Sequence, residues 1–261
     1  MSKKYERMNH LIKTLKDMQG ASVKELAAKF NVSEMTIRRD LDTLVSQNIV
    51  RNQYGAFFYN KEISGAADLP EDYYALDNAV TSRIEEKKRI GTFAASLIQE
   101  NDILIIDTGS TTEFLARAIP SDIRTTVLCY NRNILNHLVN KENCSIIFAG
   151  GYYHANTEMF ESAEGLSLIS STRANKVFIS AAGVHEALGV TCANNYEIAT
   201  KKAIFKSGVE KILLMDSGKF SIVKSSYFAD LEDFDVIITD SGISSEWIKL
   251  IRSKHIPLHI V

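Results

Sequence analysis

The densest run of groups able to do chemistry is Ile105-Ile106-Asp107-Thr108-Gly109-Ser110-Thr111-Thr112. An apolar stretch ends in a carboxylate, and a glycine then stands among four hydroxyls where a helical pattern begins. Backbone N–H groups at a helix N-terminus, aided by the helix dipole and by hydroxyl donors, form a site for an anion such as phosphate. A glycine there lets the backbone approach the anion closely. From spacing alone, an ordinary Ser/Thr helix cap fits the run equally well. No Gly-Lys-Ser/Thr follows, so the run is not a nucleotide-hydrolysing phosphate loop.

Other residues able to complete a ligand pocket stand at the ends of apolar runs: Tyr130, Gly150-Gly151 with His154, Gly183, the pair Glu197 and Lys201, and Lys219. Each has a plainer alternative. The histidine fits a simple loop position, Glu197 and Lys201 are spaced as a surface i, i+4 ion pair, and Lys219 fits a solvated lysine. Cys129, Cys144 and Cys192 are scattered and form no CxxC pair, which argues against a disulfide framework or a zinc site. No metal and no cofactor is expected.

A second chemistry is concentrated near the N-terminus. Ser33 is placed to cap a helix whose apolar positions are Ile37, Leu41 and Leu44. That leaves Met35, Thr36, Arg38 and Arg39 on the outer face, the composition of a helix that enters the DNA major groove by its N-terminal half. Charge supports this division. Residues 1–58 hold ten Lys/Arg against six Asp/Glu, and the remainder holds twenty against twenty-six, so a +4 head joins a −6 body. Such asymmetry suits a chain whose head alone meets a polyanion.

The elements that must position these groups follow from periodicity. Met8, Leu11, Ile12 and Leu15 form a helical stripe ending near Gln19-Gly20. Ser22 with Glu25 makes a capping box for a second helix carrying Val23, Leu26, Ala27 and Phe30. After the third helix, Ile49-Val50-Arg51 and Tyr54-Gly55-Ala56-Phe57-Phe58 read as a hairpin, the wing of a winged helix-turn-helix, with Arg51 and Tyr54 as its DNA-facing residues. Residues 59–80 have no clear period and read as a linker. From Ser82 an amphipathic helix runs through Ile84, Ile90, Phe93, Ala94, Leu97 and Ile98. Seven short apolar runs (103–107, 125–129, 145–149, 177–181, 211–216, 236–240 and 257–261) then alternate with helical segments. That alternation predicts a mostly parallel sheet with helices on both faces.

The expected organisation is a winged helix-turn-helix domain over 1–58, a linker over 59–80 and a larger α/β domain over 81–261. Hydrophobic residues make up 45% of the chain and no apolar run approaches the roughly 18 residues of a membrane span. The N-terminus lacks the apolar core of a signal peptide, so the expected location is the cytoplasm, without membrane association.

The stretch from Val23-Lys24-Glu25-Leu26-Ala27 through Phe30-Asn31-Val32-Ser33-Glu34-Met35-Thr36-Ile37-Arg38-Arg39-Asp40-Leu41 resembles the N-terminal signature of the DeoR family of bacterial repressors. The hairpin departs from the family's Arg-x-His-Gly-Gly, reading Arg51-Asn52-Gln53-Tyr54-Gly55-Ala56 instead. The resemblance implies a second domain like ribose-5-phosphate isomerase, whose Asp-x-Gly-x-Thr loop holds phosphate. That pattern falls on Asp107, Gly109 and Thr111, with Ser110 and Thr112 beside them. The family's Gly-Gly, Glu-x-x-x-Lys and Asp-x-x-Lys fall on Gly150-Gly151, Glu197/Lys201 and Asp216/Lys219.

The stretches 127–130, 150–155, 180–185 and 189–192 are similar to the branch of the family that governs deoxyribose catabolism. This implies deoxyribose 5-phosphate as the effector, with an apolar Cys129 or Tyr130 face where a 2-hydroxyl is missing. The resemblance therefore implies a DNA-binding repressor that works as a homo-oligomer on operator DNA and is released by a sugar phosphate. The competing reading is a sugar-phosphate isomerase with a DNA-binding head. Isomerisation needs a base and an enediolate stabiliser. Related isomerases carry an Asp-Gly-Ala-Asp loop where this chain reads Ala181-Ala182-Gly183-Val184-His185, with no carboxylate. Glu197 remains as a candidate base. No catalytic residue is assigned.

Overall fold

A computed structural model describes residues 3–18, 20–46, 50–53, 56–59, 76 and 82–261. Tyr54 and nearly all of the expected linker lie outside the described residues. The chain divides into two compact units, Met1–Tyr73 and Tyr74–Val261.

In the first unit, α1 (Lys3–Met18), α2 (Val23–Phe30) and α3 (Glu34–Ser46) pack with strands β1 (Ala21–Ser22), β2 (Val50–Gln53) and β3 (Ala56–Tyr59). The Ser22 hydroxyl accepts the Glu25 amide and the Glu25 carboxylate accepts the Ser22 amide, so the capping box forms in full. Leu11, Leu15, Leu26, Ile37, Leu41 and Leu44 are fully buried together. The hairpin of β2 and β3 gains a third strand that the sequence did not announce, because β1 pairs antiparallel with β3. Arg7 Nε lies 2.6 Å from Asp40 Oδ2, which is buried. The aspartate of the Thr-Ile-Arg-Arg-Asp-Leu run therefore ties α3 to α1.

The second unit is built on a parallel sheet in the order β15-β14-β12-β9-β4-β5-β6. Its strands are β4 (Asp102–Ile106), β5 (Thr125–Cys129), β6 (Cys144–Phe148), β9 (Ala174–Ser180), β12 (Gly208–Leu214), β14 (Val236–Thr239) and β15 (Leu258–Ile260). All seven apolar runs of the sequence become these strands. Both faces are covered, as continuous apolar runs require. Leu104 and Ile106 turn to one face, against α4 (Ile84–Ser96), α5 (Ser110–Ala118) and α6 (Arg132–Leu138). Ile105 turns to the other, where α7 (Ala163–Ser171), α8 (Glu197–Ser207) and α9 (Ser245–Ser253) supply Ile169, Ile204, Trp247 and Ile251.

Two small antiparallel sheets were not legible in the pattern. One is the hairpin of β7 (Tyr152–His154) and β8 (Met159–Glu161); the other is β10 (Gly183–His185), β11 (Gly189–Cys192) and β13 (Ser226–Ala229). Their strands are three or four residues long, too short to show a period. Among the described residues no helix is long and apolar enough to cross a membrane.

Candidate functional site

The order of the sheet locates a crevice. From β4 the chain proceeds to β5 and β6 on one side, whereas β9 leads to β12, β14 and β15 on the other, so β4 and β9 flank a switch point. Ligands of open α/β sheets bind outside the carboxyl ends of the strands at such a point. The crevice there is tight, with about 20 Å³ of space for a water-sized sphere. It is lined by Gly109, Ser110 and Thr111 after β4, Ser180 and Ala181 at the end of β9, and Met215, Asp216 and Lys219 after β12. The helix α5 begins at Ser110, and its first intrahelical bond runs from the Glu113 amide to the Gly109 carbonyl. The amides of Ser110, Thr111 and Thr112 thus have no intrahelical acceptor.

Gly109 has φ 153°, a region that side chains rarely adopt. A Cβ there would lie 2.4 Å from Ser180 Oγ and 2.8 Å from Ser180 Cβ. Ser180 has little freedom to yield, because its hydroxyl donates to the Thr108 carbonyl at 2.5 Å. Gly109→Ala is expected to destabilise the second unit by about 1–3 kcal/mol, visible as a fall of several degrees in Tm by circular dichroism.

Beneath the turn lies a buried ionic cluster. Asp107 is fully buried; its carboxylate accepts from the Tyr130 hydroxyl, from the Ser180 amide at 2.9 Å and from Lys201 Nζ. Lys201 also donates to the Ser180 carbonyl at 2.9 Å and lies 4.0 Å from Glu197, which is itself held by the Asn194 amide at 3.0 Å. Burial opposes the charge on Lys201, but the carboxylates of Asp107 and Glu197 outweigh it and hold its pKa above the ordinary lysine value. Burial pushes the Glu197 carboxyl up. Burial, followed by the charge of Asp107, raises the Tyr130 phenol well above its usual range, so it stays a neutral donor.

Glu197 and Lys201 are therefore not a surface pair. Nor does Cys129 or Tyr130 offer a face to the crevice: both are buried, and Tyr130 turns its hydroxyl onto Asp107. The reason is that Asp107, at the end of a central strand, needs partners for both carboxylate oxygens once water is excluded.

Cations border the crevice on its β12 side. Lys219 is half-buried; its amide donates to the Asp216 carbonyl at 3.0 Å, and its ammonium makes no hydrogen bond or ion pair with another described residue. Lys87, which the sequence reading passed over, is buried on α4 with Nζ 3.8 Å from Asp216 Oδ2, and burial pulls its pKa below the ordinary value against the attraction of Asp216. A signal for it existed. Lys87 stands midway between Ile84 and Ile90 on the inward stripe of an amphipathic helix, where an apolar residue is expected. Ser180 and Ala181 also line the crevice without a signal of their own in the sequence, because the glycine that marks this loop stands at 183.

The remaining expected residues lie around this centre. Thr112 is buried and donates to the Gly109 carbonyl at 3.0 Å. Gly150 and Gly151 follow β6, where a Cβ on Gly151 would meet the Glu161 carbonyl oxygen at 2.2 Å. His154 is bonded through Nε2 to Glu161 at 2.8 Å and stacks on Tyr196 with ring centroids 3.7 Å apart. Its hairpin adjoins the turn, because Thr108 Oγ1 donates to the Thr157 carbonyl at 3.1 Å. Gly183 is buried in β10, its absent side chain leaving room for the Ile222 carbonyl.

On α3 of the other unit, the Ser33 hydroxyl accepts the Thr36 amide at 3.2 Å and pairs with the Thr36 hydroxyl at 2.9 Å, fixing the start of the helix. Met35, Arg38 and Arg39 are exposed, and neither guanidinium has an ion-pair partner among the described residues. Arg51 is half-buried on β2.

A model of the DeoR-like helix-turn-helix domain matches residues 7–62, and a model of the DeoR C-terminal sensor domain matches residues 82–241. The chain belongs to the DeoR family. The deoxyribose operon repressor of Escherichia coli K12 is 30% identical over 98% of this chain and 98% of its own length. The glycerol-3-phosphate regulon repressor of the same strain is 28% identical over 99% of each chain. Ribose 5-phosphate isomerase A from Neisseria gonorrhoeae aligns with 55% of this DeoR-family chain and 56% of its own, at 16% identity and a TM-score of 0.39.

Proposed function

We infer that this DNA-binding repressor of the DeoR family leaves its operator when a phosphorylated sugar, deoxyribose 5-phosphate, fills the crevice around Gly109. One observation carries the reading. Helix amides lacking intrahelical acceptors, the residues Ser110 and Thr111, and Lys219, whose ammonium has no partner among the described residues, border a single crevice at the switch point of the sheet. Backbone N–H groups at a helix start together with a cationic donor suit a phosphate dianion. The name of the E. coli deoxyribose operon repressor supports the choice of sugar.

In this reading Ser110, Thr111 and Lys219 hold the phosphate, with Gly109 allowing its close approach. Asp107, Thr112, Tyr130, Glu197 and Lys201 form the floor that fixes the turn. The loops bearing Gly150, Gly151, His154 and Gly183 enclose the sugar. Ser33, Met35, Thr36, Arg38 and Arg39 read operator DNA, with Arg51 and Tyr54 on the wing. The protein acts in the cytoplasm as a homo-oligomer, which sets paired recognition helices on operator half-sites.

Binding rather than isomerisation is favoured because the carboxylates near the turn are committed: Asp107 to Lys201 and Tyr130, Glu197 to Asn194, and Asp216, which lines the crevice, to Arg83, Lys87 and the Gly218 amide. A carboxylate held in its charged, paired form is a poor base for a carbon-bound proton. The effector must bind the state of low DNA affinity better, since equal affinity for both states shifts nothing.

Fluorescence anisotropy of a labelled operator tests this, with sugar phosphates and their unphosphorylated sugars added singly. Deoxyribose 5-phosphate should weaken operator binding by about 5- to 150-fold, and deoxyribose should not. Release by the free sugar, or by no sugar phosphate at all, would overturn it.

A further inference from the structure

Helix α4 of the sensor unit begins on a strained residue that is tied to the crevice. Arg83 precedes α4 with φ 52° and ψ 49°, the left-handed region that a side-chain-bearing residue adopts at an energetic cost. Its side chain reaches across 134 residues of sequence to donate from Nη1 to Ser217 Oγ at 2.9 Å. Its Nε lies 3.7 Å from Asp216 Oδ1. Gly218 makes room for this, because a Cβ there would lie 3.0 Å from Arg83 Nε.

Asp216 lines the crevice, and its other oxygen faces Lys87, whose ammonium also donates to the Ser82 carbonyl at 2.8 Å. One crevice carboxylate is thus shared by two cations, and both anchor the stretch at which the chain enters the sensor unit. A second anchor of the same approach is Leu76. It is buried, and its amide donates to the Asn156 carbonyl at 2.8 Å, beside the Thr157 that binds Thr108.

We propose that Arg83 is a positioning residue that couples effector binding to operator release. The proposal rests on the crevice being the effector site. An anion bound at the start of α5 repels the Asp216 carboxylate and competes for its cations. The hold on Arg83 then weakens, and its backbone leaves the left-handed conformation. The anchorage of the stretch from Ser82 to Lys87 at the entry to the sensor unit is thereby loosened. Arg83 itself does not line the crevice, so its loss leaves effector contacts in place.

The test compares full-length wild type, Arg83→Gln and Arg83→Lys. Operator affinity is measured by anisotropy with and without deoxyribose 5-phosphate, and affinity for that sugar by calorimetry. Arg83→Gln should bind the sugar with affinity close to wild type. Its operator affinity without effector should fall, and the factor by which the sugar releases operator should shrink roughly threefold or more. Arg83→Lys, which keeps the charge, should retain most of that factor. A purely structural role would change the melting temperature and leave the factor alone. An unchanged factor in Arg83→Gln overturns the role of Arg83 and spares the effector site. A wild type that ignores every sugar phosphate overturns the effector site and the coupling together.

Discussion

Replacing Asp107 by alanine should cripple the stability of the sensor unit before any question of signalling arises. The carboxylate is fully buried against an equally buried Lys201. Removing one partner of a buried ion pair strands the other without solvation, at a cost of about 3–5 kcal/mol. The substitution also leaves the Tyr130 hydroxyl and the Ser180 amide without acceptors. A useful probe is built in: the chain has a single tryptophan, Trp247, packed in the sensor core. Its fluorescence during urea titration should report a loss of about 3–5 kcal/mol for Asp107→Ala. The double variant Asp107→Asn/Lys201→Met, which removes both charges and keeps most of the volume, should lose clearly less than the two single changes combined. A wild-type unfolding midpoint for Asp107→Ala would show that the buried ionic cluster does not support the sensor unit.

Arg38→Ala with Arg39→Ala should abolish operator binding while leaving fold and effector binding intact. Both side chains are exposed on a helix whose inner residues Ile37 and Leu41 are fully buried, so their loss should cost the fold no more than about 0.5 kcal/mol. A bidentate arginine–guanine contact contributes about 1–3 kcal/mol of discrimination. Each phosphate contact adds roughly 0.9 to the log–log salt slope. Salt-dependent anisotropy therefore separates the two arginines: one should relax sequence preference, the other should flatten the slope. Asp40 behaves differently despite sharing their motif, since it is buried against Arg7.

Much of this architecture could be read from residue order. The capping box at Ser22 and Glu25 is local, involves residues three apart, and forms as written. The seven parallel strands were legible as short apolar runs; central strands such as β4, β5 and β14 are buried on both faces, whereas the edge strands β6 and β15 are only partly covered. The strand end, the turn at Gly109 and the start of the following helix were legible because they are contiguous in sequence.

What escaped depends on distant partners. Asp107 reads as a ligand contact in its motif, yet its lysine arrives from 94 residues away and its tyrosine from 23. Burial of that kind has no local signature. Tyr130 was expected to face the sugar and lies under the turn for the same reason. Lys87 carried a weak signal, a charge on an inward stripe, but its meaning appears only when β12 delivers Asp216 to it.

The most direct measurement is a crystal structure of the chain grown with deoxyribose 5-phosphate. Phosphate oxygens about 3 Å from the Ser110 and Thr111 amides and from Lys219 Nζ are expected. A sugar phosphate bound elsewhere, with the Gly109 turn closed and its amides bonded within the protein, would contradict the reading.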